Sequence, residues 1–119
     1  MVSKILIFRT DRIGDLIVNC PAIISIRKYF PNPEITLIAS DKNFNYAKSL
    51  EIFDHIYKFP KKNILKKISL IFRLSINKFD YIFVFDSKDR SLFSIIFNTC
   101  KNKFVIYPEK KIKLLFKIF

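Results

Sequence analysis

Glycine, cysteine and long apolar stretches are scarce in this sequence, and each shortage excludes a class of protein. The single glycine, Gly14, excludes the three-glycine G-x-G-x-x-G fingerprint of dinucleotide-binding domains. Cys20 and Cys100 form no C-x-x-C pair, which excludes a four-ligand zinc site and favours a reducing compartment. Charges interrupt every apolar stretch before the ~18 residues that a membrane span needs. We therefore expect a cytoplasmic protein without a metal, a cofactor or a membrane span.

The composition indicates one folded domain with a basic surface. Half of the 119 residues are hydrophobic, so a buried core is expected, and the formal charge is +12. Ile, Lys, Phe and Asn, whose codons are A/T-rich, make up 60 residues, so a nucleotide bias explains much of the lysine excess. The sequence also lacks a recognisable recognition helix or RNA motif. We therefore expect no nucleic-acid partner, and a steep salt dependence of duplex binding would contradict this.

Short apolar runs alternate with helical patterns along the whole chain. Strands are predicted at residues 4–9, 34–40, 55–59, 80–85 and 103–107. Helices are predicted at residues 15–30, 43–50, 62–78 and 90–100. This alternation predicts an α/β fold, a parallel sheet with helices on both faces.

Two of these helices carry more detailed predictions. Because Pro21 has no backbone N–H, we expect it to break residues 15–30 into two short helices. In the helix at 62–78 an apolar stripe is predicted to face the core: Ile64, Leu65, Ile68, Ile71, Phe72 and Ile76. The opposite side mixes basic and apolar residues and is predicted to face outward: Lys62, Lys66, Leu70, Arg73 and Leu74. That side is predicted to be a solvated face or, as the alternative, a contact with an anionic bilayer.

The loop after the first strand is the candidate site, because the crevice of an open parallel sheet lies at the carboxyl ends of its strands. Gly14 is expected to let the chain turn sharply into the helix, and Asp15 falls in the first helical turn. A carboxylate there can accept a proton from a substrate hydroxyl, while Arg9 and Arg12 suit phosphate or carboxylate groups. The alternative is a helix-start aspartate with structural ion pairs, and spacing alone favours this alternative.

An ordered set of short motifs extends from this loop over residues 3–107. A strand leads into R-x-D-x-x-G-D, then P-A, a helix that ends in F-P, and an I-T-L strand. The matching residues are Arg9, Gly14, Asp15, Pro21, Ala22, Phe30, Pro31, Ile35, Thr36 and Leu37. Further on, F-D-Y-I at 79–82 is followed by Asp86, Arg90 and Ser91. In order and spacing this set resembles the opening of the ADP-heptose:lipopolysaccharide heptosyltransferases, glycosyltransferase family 9.

The resemblance implies a Rossmann-like domain with strand order 3-2-1-4-5, the N-terminal, acceptor-side half of a GT-B glycosyltransferase. It implies that Asp15 is the general base for inverting transfer of a sugar from an ADP-sugar to a lipopolysaccharide-core-type acceptor. Further residues are expected to line the same crevice and contact the acceptor: Arg9, Asp11, Arg12, Gly14, Ser87, Lys88, Arg90 and Ser91. The alternative is that four of them only form a solvated loop and the cap of the next helix: Ser87, Lys88, Arg90 and Ser91.

The sequence departs from the family pattern after the first domain. Residues 1–107 are expected to form the acceptor-side domain, and residues 108–119 a tail leading toward a donor-binding domain that is absent here. The chain alone is therefore not expected to be a competent transferase. The implied partners are a nucleotide-sugar, through that absent domain, an anionic glycolipid acceptor and the inner surface of the cytoplasmic membrane. The alternative is a non-catalytic interaction module or truncated remnant, which a neighbouring reading frame for a donor domain would contradict.

Overall fold

The computed structural model describes residues 3–86, 91, 100 and 102–105. The described strands are β1 (Ser3–Arg9), β2 (Pro33–Ala39), β3 (His55–Lys58), β4 (Tyr81–Val84) and β5 (Asn102–Val105). The described helices are α1 (Ile13–Tyr29), α2 (Phe44–Leu50) and α3 (Ile64–Ile76). Apart from Ser91 and Cys100, the predicted helix at 90–100 lies outside the described residues, as do the end of the last predicted strand and the tail at 108–119.

The strands form one all-parallel sheet in the order β3-β2-β1-β4-β5, which confirms the predicted order. Buried residues of α1 and α2 pack on one face of the sheet, and those of α3 pack on the other. The predicted α/β class, with helices on both faces, is therefore confirmed. None of the helices in the described part of the chain is long and apolar enough to cross a membrane.

The central strand β1 explains why the first apolar run is continuous instead of alternating. Ile5 and Ile7 belong to the cluster on the α1 side, while Leu6 and Phe8 belong to the cluster on the α3 side. All four side chains are fully buried, because helices cover both faces of the strand. The carboxyl end of β1, where the candidate loop begins, is thus anchored in both cores.

Pro21 does not break α1, so the prediction of two short helices is wrong. Proline removes the hydrogen bond to the carbonyl of Ile17 and typically costs a helix about 3 kcal/mol. Leu16 before the proline and Ile23 after it are both fully buried in the same core cluster. Because both halves of the helix bury apolar side chains against one sheet face, tertiary packing offsets the lost hydrogen bond.

The core-facing side of α3 is the reverse of the predicted one. Leu70 and Leu74 are buried against the sheet, whereas five of the six residues of the predicted inner stripe are exposed: Ile64, Leu65, Ile68, Phe72 and Ile76. Phe59 and Phe79, which flank the helix in the chain, are buried in the same cluster as the two leucines. These two aromatic rings fill the space beside α3, so a narrow leucine stripe is enough to complete the core.

This orientation of α3 predicts opposite outcomes for two neighbouring substitutions. Leu74→Ala should lower the free energy of unfolding by about 2–5 kcal/mol, because it empties a buried site. Phe72→Ala should change it by about 0.5 kcal/mol or less, because that ring is 65% exposed. Urea unfolding of both variants followed by circular dichroism measures the difference. A larger loss for Phe72→Ala than for Leu74→Ala would mean that the predicted inner stripe is the buried one.

An ion pair fastens the end of α1 to the sheet. Arg27 Nη2 lies 2.8 Å from Asp54 Oδ2, and the same oxygen accepts the Ile35 N–H at 2.8 Å. Arg27 Nε also donates to the carbonyl of Ile52 at 3.0 Å. Partial burial acts to raise the pKa of Asp54, but the Ile35 N–H and the Arg27 guanidinium outweigh it and lower the pKa below its ordinary value of 3.8.

A lowered carboxyl pKa makes this contact sensitive to acid. The contribution of Asp54 to stability should be fully present well above pH 3.8 and should disappear as the pH falls through the lower folded-state pKa. Asp54→Asn should therefore be less stable than wild type by the same amount at pH 7 and pH 5, and the difference should shrink below pH 3.8. Urea midpoints over this range measure it. A difference that stays constant down to pH 2 would contradict an ionic contribution.

Candidate functional site

Arg9, the last residue of β1, lies at the centre of a charged cluster at the carboxyl edge of the sheet. Its Nε is 3.0 Å from Asp11 Oδ1, and its Nη2 is 3.3 Å from Asp15 Oδ1. Its Nη1 donates to the carbonyl of Phe85, the residue directly after β4. The guanidinium is largely buried and holds both carboxylates of the loop beside the edge of the sheet. The structure thus brings together the predicted residues Arg9, Asp11 and Asp15.

Two residues that follow β2 brace this loop, and the sequence analysis did not single them out. The Asn43 amide donates to the Arg9 carbonyl at 2.8 Å and accepts from the Ser40 N–H at 2.8 Å. The Ser40 hydroxyl donates to the carbonyl of Asp11 at 2.5 Å. Asn43 is fully buried. Their position in the sequence could have predicted this role. Polar residues directly after a parallel strand lie at the same edge of the sheet as the loop after β1.

A buried carboxylate holds the loop from the other side. Asp86 Oδ2 accepts the Thr10 N–H at 2.8 Å, the Thr10 hydroxyl at 2.6 Å and the Ser91 hydroxyl at 2.8 Å. All three residues are buried, and Ser91 is completely so. This position gives Ser91 a role in holding the loop through Asp86. Ser87, Lys88 and Arg90, which are predicted to line the same crevice, lie outside the described residues.

Two clefts open on the two sides of Asp11 and Arg12. The first, of about 330 Å³, lies over the ends of β1, β2 and β3, and its charged lining is mainly basic. The charged residues that line it are Asp11, Arg12, Asp41, Lys42, Lys61 and Lys67. The second is a wide, open cleft of about 610 Å³, lined by Asp11, Arg12, Gly14, Asp15 and Val18. Asp11 and Arg12 therefore border both spaces, and Asp15 lies in the second.

The two loop carboxylates differ in their access to solvent. The Asp15 side chain is 46% exposed, whereas that of Asp11 is only 16% exposed. Burial raises the pKa of Asp11; Arg9 acts in the opposite direction, and the charges of Asp15 and Asp86 add to the increase. Of the two, Asp15 is the carboxylate that a molecule in the second cleft can reach most directly.

Gly14 has a different role from the one expected. It lies in the first turn of α1 and its φ is not positive, so the turn into the helix does not use backbone angles that other residues avoid. Apart from its chain neighbours and the backbone of α1, no atom lies within 4 Å of the place that a Cβ would occupy. The missing side chain instead leaves the wall of the second cleft open beside Asp15.

Within the described ranges, no three or more His, Cys, Asp or Glu side chains are grouped so that they could hold a metal ion. The cluster around Arg9 consists of one guanidinium, two loop carboxylates and the amide and hydroxyl groups that brace them. A carboxylate of this cluster can accept a proton. The basic residues of the neighbouring first cleft can bind an anion.

Comparison of the chain with models of protein families, with curated proteins and with solved structures finds no match in any of the three. The geometry of the site and the motifs of the sequence are therefore the grounds for a function.

The open space beside Gly14 predicts that a small side chain is tolerated at this position. Gly14→Ala should leave the fold intact and raise the free energy of unfolding by up to about 1 kcal/mol, because alanine favours a helix and its methyl group meets no neighbour. Urea unfolding measures this. A loss of stability would show that this part of the cleft wall is packed.

Proposed function

We propose that this chain is the acceptor-side domain of a heptosyltransferase-like glycosyltransferase, in which Asp15 acts as the general base. The observation that carries the proposal is the half-exposed Asp15 carboxylate in an open cleft at the carboxyl edge of a parallel sheet, held by Arg9 at 3.3 Å. The motif resemblance supplies the reaction class, inverting transfer from an ADP-sugar. The sheet order supports the proposal because it is the order that the resemblance implied.

In the proposed step, an acceptor hydroxyl in the second cleft gives its proton to the Asp15 carboxylate as its oxygen attacks the anomeric carbon of the donor sugar. The bond from that carbon to the ADP oxygen breaks, and ADP leaves with the electron pair. Attack from the side opposite to the leaving group inverts the configuration. Arg9 supports this role because its Nη2 contact positions the carboxylate, and its Nε contact holds the neighbouring Asp11.

The first cleft supports an anionic acceptor, as a glycolipid with phosphate or carboxylate groups would be. Arg12, Lys42, Lys61 and Lys67 line it together with Asp11 and Asp41. Asp41 lies 3.8 Å from Lys61 Nζ and 3.8 Å from Lys58 Nζ, so part of its charge is already compensated. Because Arg12 borders both clefts, an acceptor whose anionic group lies in the first cleft can present a hydroxyl to Asp15 in the second.

The second candidate function is a non-catalytic interaction module, and the contacts of Arg9 favour it. The guanidinium contacts Asp11, Asp15 and the Phe85 carbonyl, which is the arrangement that a purely structural charge cluster needs. Under this alternative Asp15 only stabilises the first turn of α1. The two candidates differ in what an isosteric, uncharged replacement of Asp15 does to transfer and to stability.

Asp15→Asn distinguishes them. If Asp15 is the base, transfer should fall about 10²–10⁴-fold, while the free energy of unfolding should fall by roughly 1 kcal/mol or less. Because the motifs match the acceptor side, the assay supplies a family donor-binding domain, fused or in trans, together with an ADP-sugar and a lipopolysaccharide-core acceptor. Product formation and urea unfolding are measured on the same preparations.

Asp11→Asn is the matched control, because Asp11 shares the loop and the Arg9 contact but is largely buried. It should lower transfer far less than Asp15→Asn does, because it removes a contact at the cleft border but not the base. If Asp11→Asn abolished transfer and Asp15→Asn did not, Asp11 would be the base. If neither substitution changed transfer in an active reconstituted enzyme, the structural role of the cluster would be the correct one.

A further inference from the structure

The outward side of α3 is a contiguous apolar surface. Five large side chains spaced three or four residues apart, or adjacent, form what we call the α3 stripe: Ile64, Leu65, Ile68, Phe72 and Ile76. Each is between 57% and 77% exposed. The opposite side of the helix already completes the core through Leu70 and Leu74, so the fold itself does not require the α3 stripe to be apolar. Contiguous exposed apolar side chains of this kind mark a contact surface.

The charged side chains of α3 and of the segments that flank it in the sequence are all basic. Residues 55–79 contain seven lysines and arginines and neither aspartate nor glutamate. Lys66 and Arg73 line a groove between α3 and the edge strand β3, where they are joined by Lys58. On the helix, Lys66 and Arg73 lie along one flank of the α3 stripe, by their spacing, and Lys62 comes just before the helix begins. An apolar centre with a cationic flank is complementary to a layer of acyl chains beneath anionic headgroups.

We propose that the α3 stripe docks on the surface of an anionic lipid bilayer, with α3 parallel to the membrane plane. The helix has 13 residues, about 20 Å in length, which is too short to span a bilayer and suits an interfacial position. The apolar side chains enter the boundary between headgroups and acyl chains, and the lysines and arginine of the flank contact the headgroup phosphates. This proposal does not rest on the proposed glycosyl transfer.

Charge complementarity favours a membrane over a second copy of the chain. A two-fold contact through the α3 stripe would place the basic flanks of two identical helices near one another, and residues 55–79 offer no acidic group to neutralise them. An anionic bilayer compensates the same charges. A nucleic acid would neutralise the flank as well, but it would leave the apolar centre of the surface without a partner.

Co-sedimentation of the full chain with lipid vesicles tests the proposal. Wild type should bind vesicles of phosphatidylcholine with ~30 mol% phosphatidylglycerol at least about tenfold more strongly than phosphatidylcholine alone, and NaCl should weaken this binding. The double variant Leu65→Gln/Phe72→Gln should lose at least about tenfold in affinity for the anionic vesicles. Ile17→Gln/Tyr29→Gln is the matched control, because it removes one aliphatic and one aromatic exposed side chain from α1. It should bind as wild type does.

A second pair of variants tests the charges. Lys62→Gln/Lys66→Gln should remove most of the preference for phosphatidylglycerol. Lys28→Gln/Lys48→Gln removes two exposed lysines from α1 and α2 and should leave the preference unchanged. Equal loss in both variants would assign the binding to net charge and would overturn the proposal.

The absence of tryptophan from the chain permits a direct measure of insertion that does not depend on loss of binding. Phe72→Trp places a single indole on the α3 stripe, and Tyr29→Trp places one on exposed α1. On addition of anionic vesicles, the emission of the Phe72→Trp variant should shift to shorter wavelength and be quenched by brominated lipid, whereas that of the Tyr29→Trp variant should not change. The proposal is overturned if the Phe72→Trp variant shows neither effect, or if the glutamine substitutions in the α3 stripe only abolish a dimer in the absence of vesicles.

Discussion

The burial of β1 on both of its faces is the constraint on which the rest of the molecule depends. Ile5 and Ile7 are completely enclosed on the α1 side, and Leu6 and Phe8 are completely enclosed on the α3 side. A strand held in this way cannot shift by one residue, because a shift would exchange its two sets of side chains between two packed cores. Arg9 comes directly after them, so the position of its guanidinium is set by the two cores behind it.

The loop after β1 is then held by its neighbours on both sides. Asn43 and Ser40 reach it from the β2 side, and Asp86 reaches it from the β4 side. These contacts are mostly between buried groups, where an unpaired donor or acceptor is costly. The loop is therefore a fixed platform from which Arg12 and Asp15 project toward the two clefts. Rigid support of this kind is what a positioned base or an anion-binding residue requires.

The sequence predicted the parts of this fold that depend on local pattern. The continuous apolar run of β1 and the positions of the four other strands were predicted to within a few residues. The strand order was predicted from the motif resemblance. Predictions that depend on tertiary packing failed. The continuity of α1 through Pro21 requires the simultaneous burial of Leu16 and Ile23. The rotation of α3 depends on Phe59 and Phe79, which lie outside the helix and so do not enter its periodicity.

The candidate site was predictable to a similar degree. The loop residues Arg9, Asp11 and Asp15 were identified from their place after a strand, but their ion pairs depend on where the side chains settle. Asn43 braces the loop and Lys67 lines the first cleft, and both come from elements distant in the sequence. Their roles depend on the sheet order, which brings the carboxyl ends of β1, β2 and β3 together.

Helix α3 belongs to two surfaces at once. Lys67, in its first turns, lines the first cleft, and Ile64, Leu65 and Ile68 of the same turns belong to the exposed stripe. A rigid helix transmits any change of position from one side to the other. Suppose that a molecule in the first cleft and a bilayer on the α3 stripe both bind best to the same position of α3. Binding of either one then raises the affinity of the protein for the other, by the same factor. Under that condition the two faces of this helix would be thermodynamically linked through a single structural element.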